Sequence, residues 1–174
     1  GRPPKRRCRG RPPKRRCRAL LEKKASVTTA ESCTGGGVAN AITAVSGSSQ
    51  WIHSAYVTYA NHAKHYLLGV PEALLLDQGA VSEAVVTEMV KGAAQAAKAD
   101  FAVAISGVAG PSGGSTAKPV GTVWFAILGP QGIRSLKHQF AGDREAVREQ
   151  SVQISLQELL HQVSECTTVH SYSK

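Results

Sequence analysis

Aromatic side chains are scarce in this 174-residue chain: Phe, Trp and Tyr together make up 5% of it, and there is a single Met. With a hydrophobic fraction of 42%, that shortage points to an Ala/Val/Gly-rich α/β protein rather than a disordered one. No apolar run reaches membrane length, and the Arg-rich start has no hydrophobic region behind it, which argues against a spanning helix or a secretory leader. Cysteine pairs of the C-x-x-C type are missing too. Cys8, Cys17, Cys33 and Cys166 stand apart, so the expectation is a cytoplasmic protein with reduced thiols. Acidic residues are absent from positions 1–18, which hold ten of the 21 Lys and Arg. The remaining eleven bases face all 12 acids, so the formal charge of +9 belongs to the first eighteen residues and the rest carries −1. No basic binding face is implied for that rest. Its length suits one domain with a sizeable core.

What is present at the start is a perfect tandem repeat, "GRPPKRRCR GRPPKRRCR". Prolines, like charges and almost no apolar surface exclude it from a core. Across the junction, Arg9-Gly10-Arg11-Pro12 resembles the R-G-R-P core of AT-hooks. Identity at every position favours a solvated tail or an appended extension, and contact with nucleic acid is expected only through residues 1–18. The domain is expected over 19–174. There, "ALLEKK" reads as the end of a short helix and "SVTTA" (26–30) as a strand, and "GGGVANAITAVS" shows helical spacing of Val38, Ile42 and Val45. "SAYVTY" (54–59) reads as a second strand, and "NHAKHYLLG" as a helix capped by Asn61 and holding Lys64. "PEALLLDQG" opens with Pro71 at a first helical position. "SEAVVTEMVKGAAQAAKA" (82–99) reads as a helix capped by Ser82, and "DFAVAISG" as a buried strand entering the loop 107–119. "VGTVWFAIL" and "IRSLKHQFA" pair around Gly129–Gly132, and 143–163 is a long amphipathic helix. This alternation predicts a single layered α/β domain with a mixed, mostly parallel sheet flanked by helices.

Chemistry concentrates in "AESCTGG" (30–36), at a strand-to-helix turn. Ser32 and Thr34 donate and accept hydrogen bonds, while Gly35 and Gly36 allow close approach to the backbone. A following helix would turn free N–H groups outward, so the turn reads either as an anion site or as a plain glycine-rich turn. Cys33 reads as a small buried thiol, since no histidine shows the local signature of a Cys/His pair. The loop "GVAGPSGGSTAK" lacks the lysine of a phosphate loop. Ser115 and Lys118 match S-x-x-K, but the glycines before them and Pro119 after them oppose the helix that motif needs. His62 and His65 have metal-capable helical spacing without a carboxylate or thiol cluster nearby, which favours solvated histidines. Tyr59 and Lys64 lie one residue further apart than Y-x-x-x-K. With Tyr59 closing a strand and Lys64 starting a helix, both could reach the same end of the sheet, as a base with its partner or as ordinary surface residues.

Taken together, "TTAESCTGG", "GSSQW", "VTYANHAK", "GAVSE", "AISGVAGPSGG", "KPVGTVWFA" and "FAGDREAVR" resemble the C-terminal domain of CinA, the competence/damage-inducible protein A, in the right order over about 19–163. Only the tandem repeat departs, since family members carry an amphipathic helix there. Stand-alone copies of that domain are nicotinamide-nucleotide amidases. The resemblance implies hydrolysis of nicotinamide mononucleotide to nicotinate mononucleotide and ammonia, in a homo-oligomer, with no cofactor and no metal. It makes Ser49, the second serine of "GSSQW", the nucleophile, Lys64 the general base and Tyr59 its support. Ser32, Ser106 and Arg144 fall on ligand-binding or site-supporting positions. Phosphate would rest on Thr34, Gly35 and Gly36 or on Arg144, with oxyanion donors near Ser49 or in the loop that begins at Gly107. Two other classes stay open: a non-catalytic nucleotide-binding module, and a DNA-associated protein acting through the basic repeat.

Overall fold

A computed structural model describes residues 18–166, so the basic repeat lies outside the described residues apart from Arg18. Five strands form one sheet: β1 (Val27–Glu31), β2 (Tyr56–Val57), β3 (Phe101–Gly107), β4 (Thr122–Gly129) and β5 (Gly132–Gln139). Their order is β2-β1-β3-β4-β5. Both neighbours of β1 run parallel to it, while β4 is antiparallel to β3 and to β5. Four of the five strands therefore point the same way, and the sheet is mixed as expected. The helices are α1 (Arg18–Lys23), α2 (Gly37–Thr43), α3 (Asn61–Leu68), α4 (Glu72–Gln78), α5 (Glu83–Ala97) and α6 (Arg144–Glu165).

Every residue of β1 is buried, because parallel strands and helical layers enclose it on all sides. Alternation divides the core in two. Val27, Val103, Ile105, Phe125 and Ile127 face α2 and α6, where they meet Val38, Ile42, Val147 and Leu159. Ala30, Ala102, Ala104 and Ala126 face the other way, toward Val86, Met89, Val90 and Ala93 of α5. Alanines on that second face let α5 lie close to the sheet. α5 in turn supports α3 through Gly92, where an added Cβ would stand 1.9 Å from the Leu68 carbonyl oxygen. The height of α3 above the sheet is thus set by a glycine.

The cap follows the sequence at Ser82, whose Oγ accepts from the Val85 N–H, while Asp143, expected as the first residue of the last helix, is its cap, with its carboxylate accepting from the Ala146 N–H. Elsewhere the local reading shifts. Asn61 is the first residue of α3 rather than its cap; Ala60 holds the cap position, with no side-chain cap hydrogen bond. Pro71 stands at the cap of α4, one position before the predicted one. The strand expected over 54–59 pairs only at Tyr56 and Val57, since β2 is an edge strand with β1 as its one neighbour and the chain turns off into α3.

Candidate active site

Strand alternation decides what the turn after β1 does. Successive side chains leave opposite faces, so Glu31 goes to the α2 side and Ser32 to the α3 side. Glu31 is fully buried and its carboxylate accepts from the N–H groups of Val38 (2.9 Å) and Ala39 (3.0 Å) and from Thr29 Oγ1 (3.2 Å). Gly36, at the cap of α2 with φ near +97°, has no side chain to do this. The remaining first-turn donors bond within the turn, Gly37 to Thr34 O and Asn40 to Gly36 O. Of the two readings open for this turn, the plain glycine-rich one accounts for the first-turn N–H groups of α2: those of Gly37, Val38, Ala39 and Asn40 are taken within the chain, two of them by the Glu31 carboxylate.

On the other face, Ser32 is 8% exposed and fixed by its N–H, which donates to the Ile105 carbonyl. Lys64 arrives from α3, fully buried, with Nζ 3.0 Å from Ser32 Oγ, 2.8 Å from Thr58 O and 3.2 Å from Tyr59 O. Nζ donates to all three oxygens, as the three N–H groups of an ammonium allow; in the neutral amine, with two N–H donors and one lone pair, the bond to Ser32 reverses and the lone pair accepts from its O–H. Burial favours the neutral form: it pushes the Lys64 ammonium down from 10.5 to about 8, against a smaller opposing influence of Cys33. Cys33 itself is buried among apolar residues, and burial pushes its thiol up to about 11, which fits the packing role read for it.

The outer part of the site comes from α6 and the loops. Arg144 donates to Gly110 O (2.8 Å) and to the Tyr59 hydroxyl (3.2 Å), so Tyr59 holds Lys64 with its carbonyl and Arg144 with its ring. Arg148, one turn on, donates to the carbonyls of Cys33 (3.2 Å) and Thr34 (3.4 Å). Both arginines line an open cleft of about 600 Å³, together with Ala109, Pro111 and Val120. Thr34 Oγ1 and Thr58 Oγ1 are buried and have no hydrogen-bond partner among the described residues. Ser106, at the end of β3, is buried next to Ile105, the residue that binds the Ser32 N–H. At Gly107 an added Cβ would stand 2.6 Å from Val123 Cγ2, so the missing side chain there serves the packing of β4. His65 Nδ1 is engaged by Val70 O at 2.7 Å, consistent with a structural histidine.

Ser32, Thr34, Tyr59, Lys64, Ser106 and Arg144 thus gather at the carboxyl ends of β1 and β3, where α/β sites form. Ser49 does not join them. It is exposed, in a short 3-10 turn (Ser48–Gln50) after α2, which runs back down the sheet from the site. Trp51 O then accepts from the Val27 N–H, and Ile52 bridges Val27 at the opposite end of β1. From Val27 to Ser32 is five residues of strand, about 16 Å. Within one chain, the hydroxyl facing Lys64 is that of Ser32. Sequence reasoning passed over Glu31, Thr58 and Arg148. The signals were there: Glu31 adjoins Ser32 with opposite facing, and Arg148 is four residues after Arg144 on one helix face.

The comparisons agree with this architecture. The sequence profile of the CinA C-terminal domain matches residues 13–163. A protein of Enterobacter agglomerans named nicotinamide-nucleotide amidohydrolase PncC is 57% identical over 145 residues, 83% of this chain and 88% of that protein. Its namesake in Escherichia coli K12 is 54% identical over the same shares. A solved CinA superfamily structure from Klebsiella pneumoniae superposes with a TM-score of 0.83 at 41% identity, covering 87% of this chain and 94% of that one. With the sheet order, the buried Lys64 and the matching blocks in place, the chain belongs to the CinA C-terminal domain family.

Proposed function

We propose that this chain is an amidohydrolase that converts nicotinamide mononucleotide to nicotinate mononucleotide and ammonia. The observation that carries the reading is the buried, pKa-lowered Lys64 with Nζ 3.0 Å from Ser32 Oγ. Relatives named nicotinamide-nucleotide amidohydrolase, at 54% to 57% identity, supply the substrate class. An amide is a poor electrophile and needs an activated hydroxyl together with a stabilised oxyanion. Lys64 takes the Ser32 proton as Oγ bonds to the carboxamide carbon, whose electron pair moves to oxygen. Collapse of the tetrahedral adduct breaks the C–N bond, and the Lys64 proton leaves with ammonia. Water then attacks the acyl-enzyme as Lys64 accepts its proton; collapse breaks the Oγ–C bond, Lys64 returns that proton to Ser32 Oγ, and the acid product leaves as a carboxylate with its proton lost to solvent. The pyridinium charge already polarises the carboxamide, so the scheme calls on no cofactor. The Tyr59 carbonyl holds Lys64 in place. Arg144 and Arg148 offer fork donors to the phosphate, and the Thr34 hydroxyl offers a further donor. The same reading takes the enzyme as a cytoplasmic homo-oligomer, with exposed Tyr66, Leu67 and Leu76 as apolar surface for a second copy.

Ammonia release from nicotinamide mononucleotide is the test, with nicotinamide riboside as the measure of phosphate dependence. Loss of turnover in Ser32→Ala and Lys64→Ala, with turnover kept in Ser49→Ala, is expected. Loss in Ser49→Ala alone would return the nucleophile to Ser49, the residue that the family resemblance indicates. A wild-type protein that binds the mononucleotide and releases no ammonia would instead be the non-catalytic module.

A further inference from the structure

We infer that Glu31 is a positioning residue for the reaction: its buried side chain locks the turn carrying Ser32 against the start of α2. The inference rests on the amidohydrolase reading above.

A fully buried carboxylate is costly unless it is hydrogen-bonded throughout, and Glu31 meets that condition. One oxygen accepts from the Val38 N–H, the other from the Ala39 N–H and Thr29 Oγ1. These bonds tie the end of β1 to the start of α2 and enclose Ser32, Cys33 and Thr34 in a short closed loop. The Glu31 carbonyl works on the opposite side, where it accepts from the Thr58 N–H at 2.9 Å. Thr58 O in turn accepts from Lys64 Nζ at 2.8 Å. One residue therefore fixes the turn that bears the hydroxyl through its side chain, and the segment that holds the amine through its backbone. The Ser32 Oγ to Lys64 Nζ separation is set from both ends by Glu31, which touches neither atom.

Glu31→Ala and Glu31→Gln in the full chain test the assignment. Alanine removes the atoms of one acetate ion, and glutamine keeps the shape but turns an N–H donor toward an N–H donor. The expected result for both is a fall in kcat of about tenfold or more with KM within about threefold. Acetate is expected to restore part of the Glu31→Ala rate, where sodium chloride at equal ionic strength does not. A purely structural role would lower the folded fraction without such rescue. Unchanged kcat in Glu31→Gln, or a Glu31→Ala defect indifferent to acetate, would overturn the inference. If Glu31→Ala does not fold, Glu31→Gln decides through kcat. If the wild type releases no ammonia, the amidohydrolase reading fails by itself. Backbone amide exchange at Val38 and Ala39 then decides the Glu31 assignment: slow in the wild type and fast in Glu31→Gln supports it, and equal rates refute it.

Discussion

In the proposed reaction Lys64 must be neutral to accept the Ser32 proton, so the rate should follow its titration. Burial brings the ammonium from 10.5 down to about 8, and Cys33 opposes this weakly. At pH 7 a group of pKa 8 is neutral in about one molecule in ten, against about one in 3,000 for an ordinary lysine. The environment therefore raises the competent fraction about 300-fold, equivalent to about 3 kcal/mol. The assay is ammonia release at low substrate concentration, from pH 5.5 to 9.5. The value of kcat/KM should rise about tenfold per pH unit through pH 7 and level off above about 8. Cys33 cannot supply this limb, because burial holds its thiol at about 11. The substrate phosphate titrates near 6, so a limb there followed by a flat profile would refute Lys64 as the base. Lys64→Arg, whose guanidinium stays protonated, should be inactive across the range.

Lys64 also leaves a signature in stability. Its folded pKa is depressed, so between about 8 and 10.5 the unfolded chain binds more protons and stability rises with pH. Measured by denaturant unfolding, wild type should gain about 3 kcal/mol on Lys64→Met over that window, with no relative change below it. Arg144→Gln should raise KM for the mononucleotide roughly 10- to 100-fold, and leave the riboside almost unaffected; equal effects on both would remove Arg144 from the phosphate. Gly92→Ala drives a methyl into the Leu68 carbonyl. It should cost about 2–4 kcal/mol in thermal unfolding and slow turnover as well, because Leu68 ends the helix that carries Lys64.

The fold was legible where periodicity was strong. The buried run "DFAVAISG" became β3, the 82–99 pattern became α5 with its Ser82 cap, and the Gly129–Gly132 turn joined β4 to β5. Local signals failed where tertiary context outweighed them. Asn61 has the chemistry of a cap, but the chain enters α3 one residue earlier, already extended at Ala60. "SAYVTY" has strand character throughout, yet an edge strand pairs only as far as its one neighbour and the onset of α3 allow. In the site, Lys64 with its partner Tyr59, and Ser32 and Arg144 as residues, were identifiable, but the contacts of Lys64 with Ser32 and Thr58 were not. The choice between Ser32 and Ser49 turns on which end of β1 each occupies, and that is a fact of topology: α2 carries the chain back before "GSSQW". Strand alternation could place Glu31 opposite Ser32 but could not pair it: two of its partners, at Val38 and Ala39, are backbone groups, which no residue type announces.

The two parts of the site differ in how firmly they are held. Ser32, Thr34, Thr58 and Lys64 are buried, and Thr58 and Lys64 are tied to the end of β1 by hydrogen bonds to Glu31 O and Ser32 Oγ, whereas Tyr59 is 61% exposed and Arg144 lines the open cleft. A ligand thus meets an unyielding floor and an adjustable rim. If the proposed reaction holds, tolerance for altered substrates should follow that gradient: changes at the ring and its carboxamide will be refused, while changes along the sugar and beyond can be accommodated by side-chain movement. Efforts to broaden the range of accepted molecules would begin at the rim, with α6 and the loop at Gly110, and leave the strand ends alone.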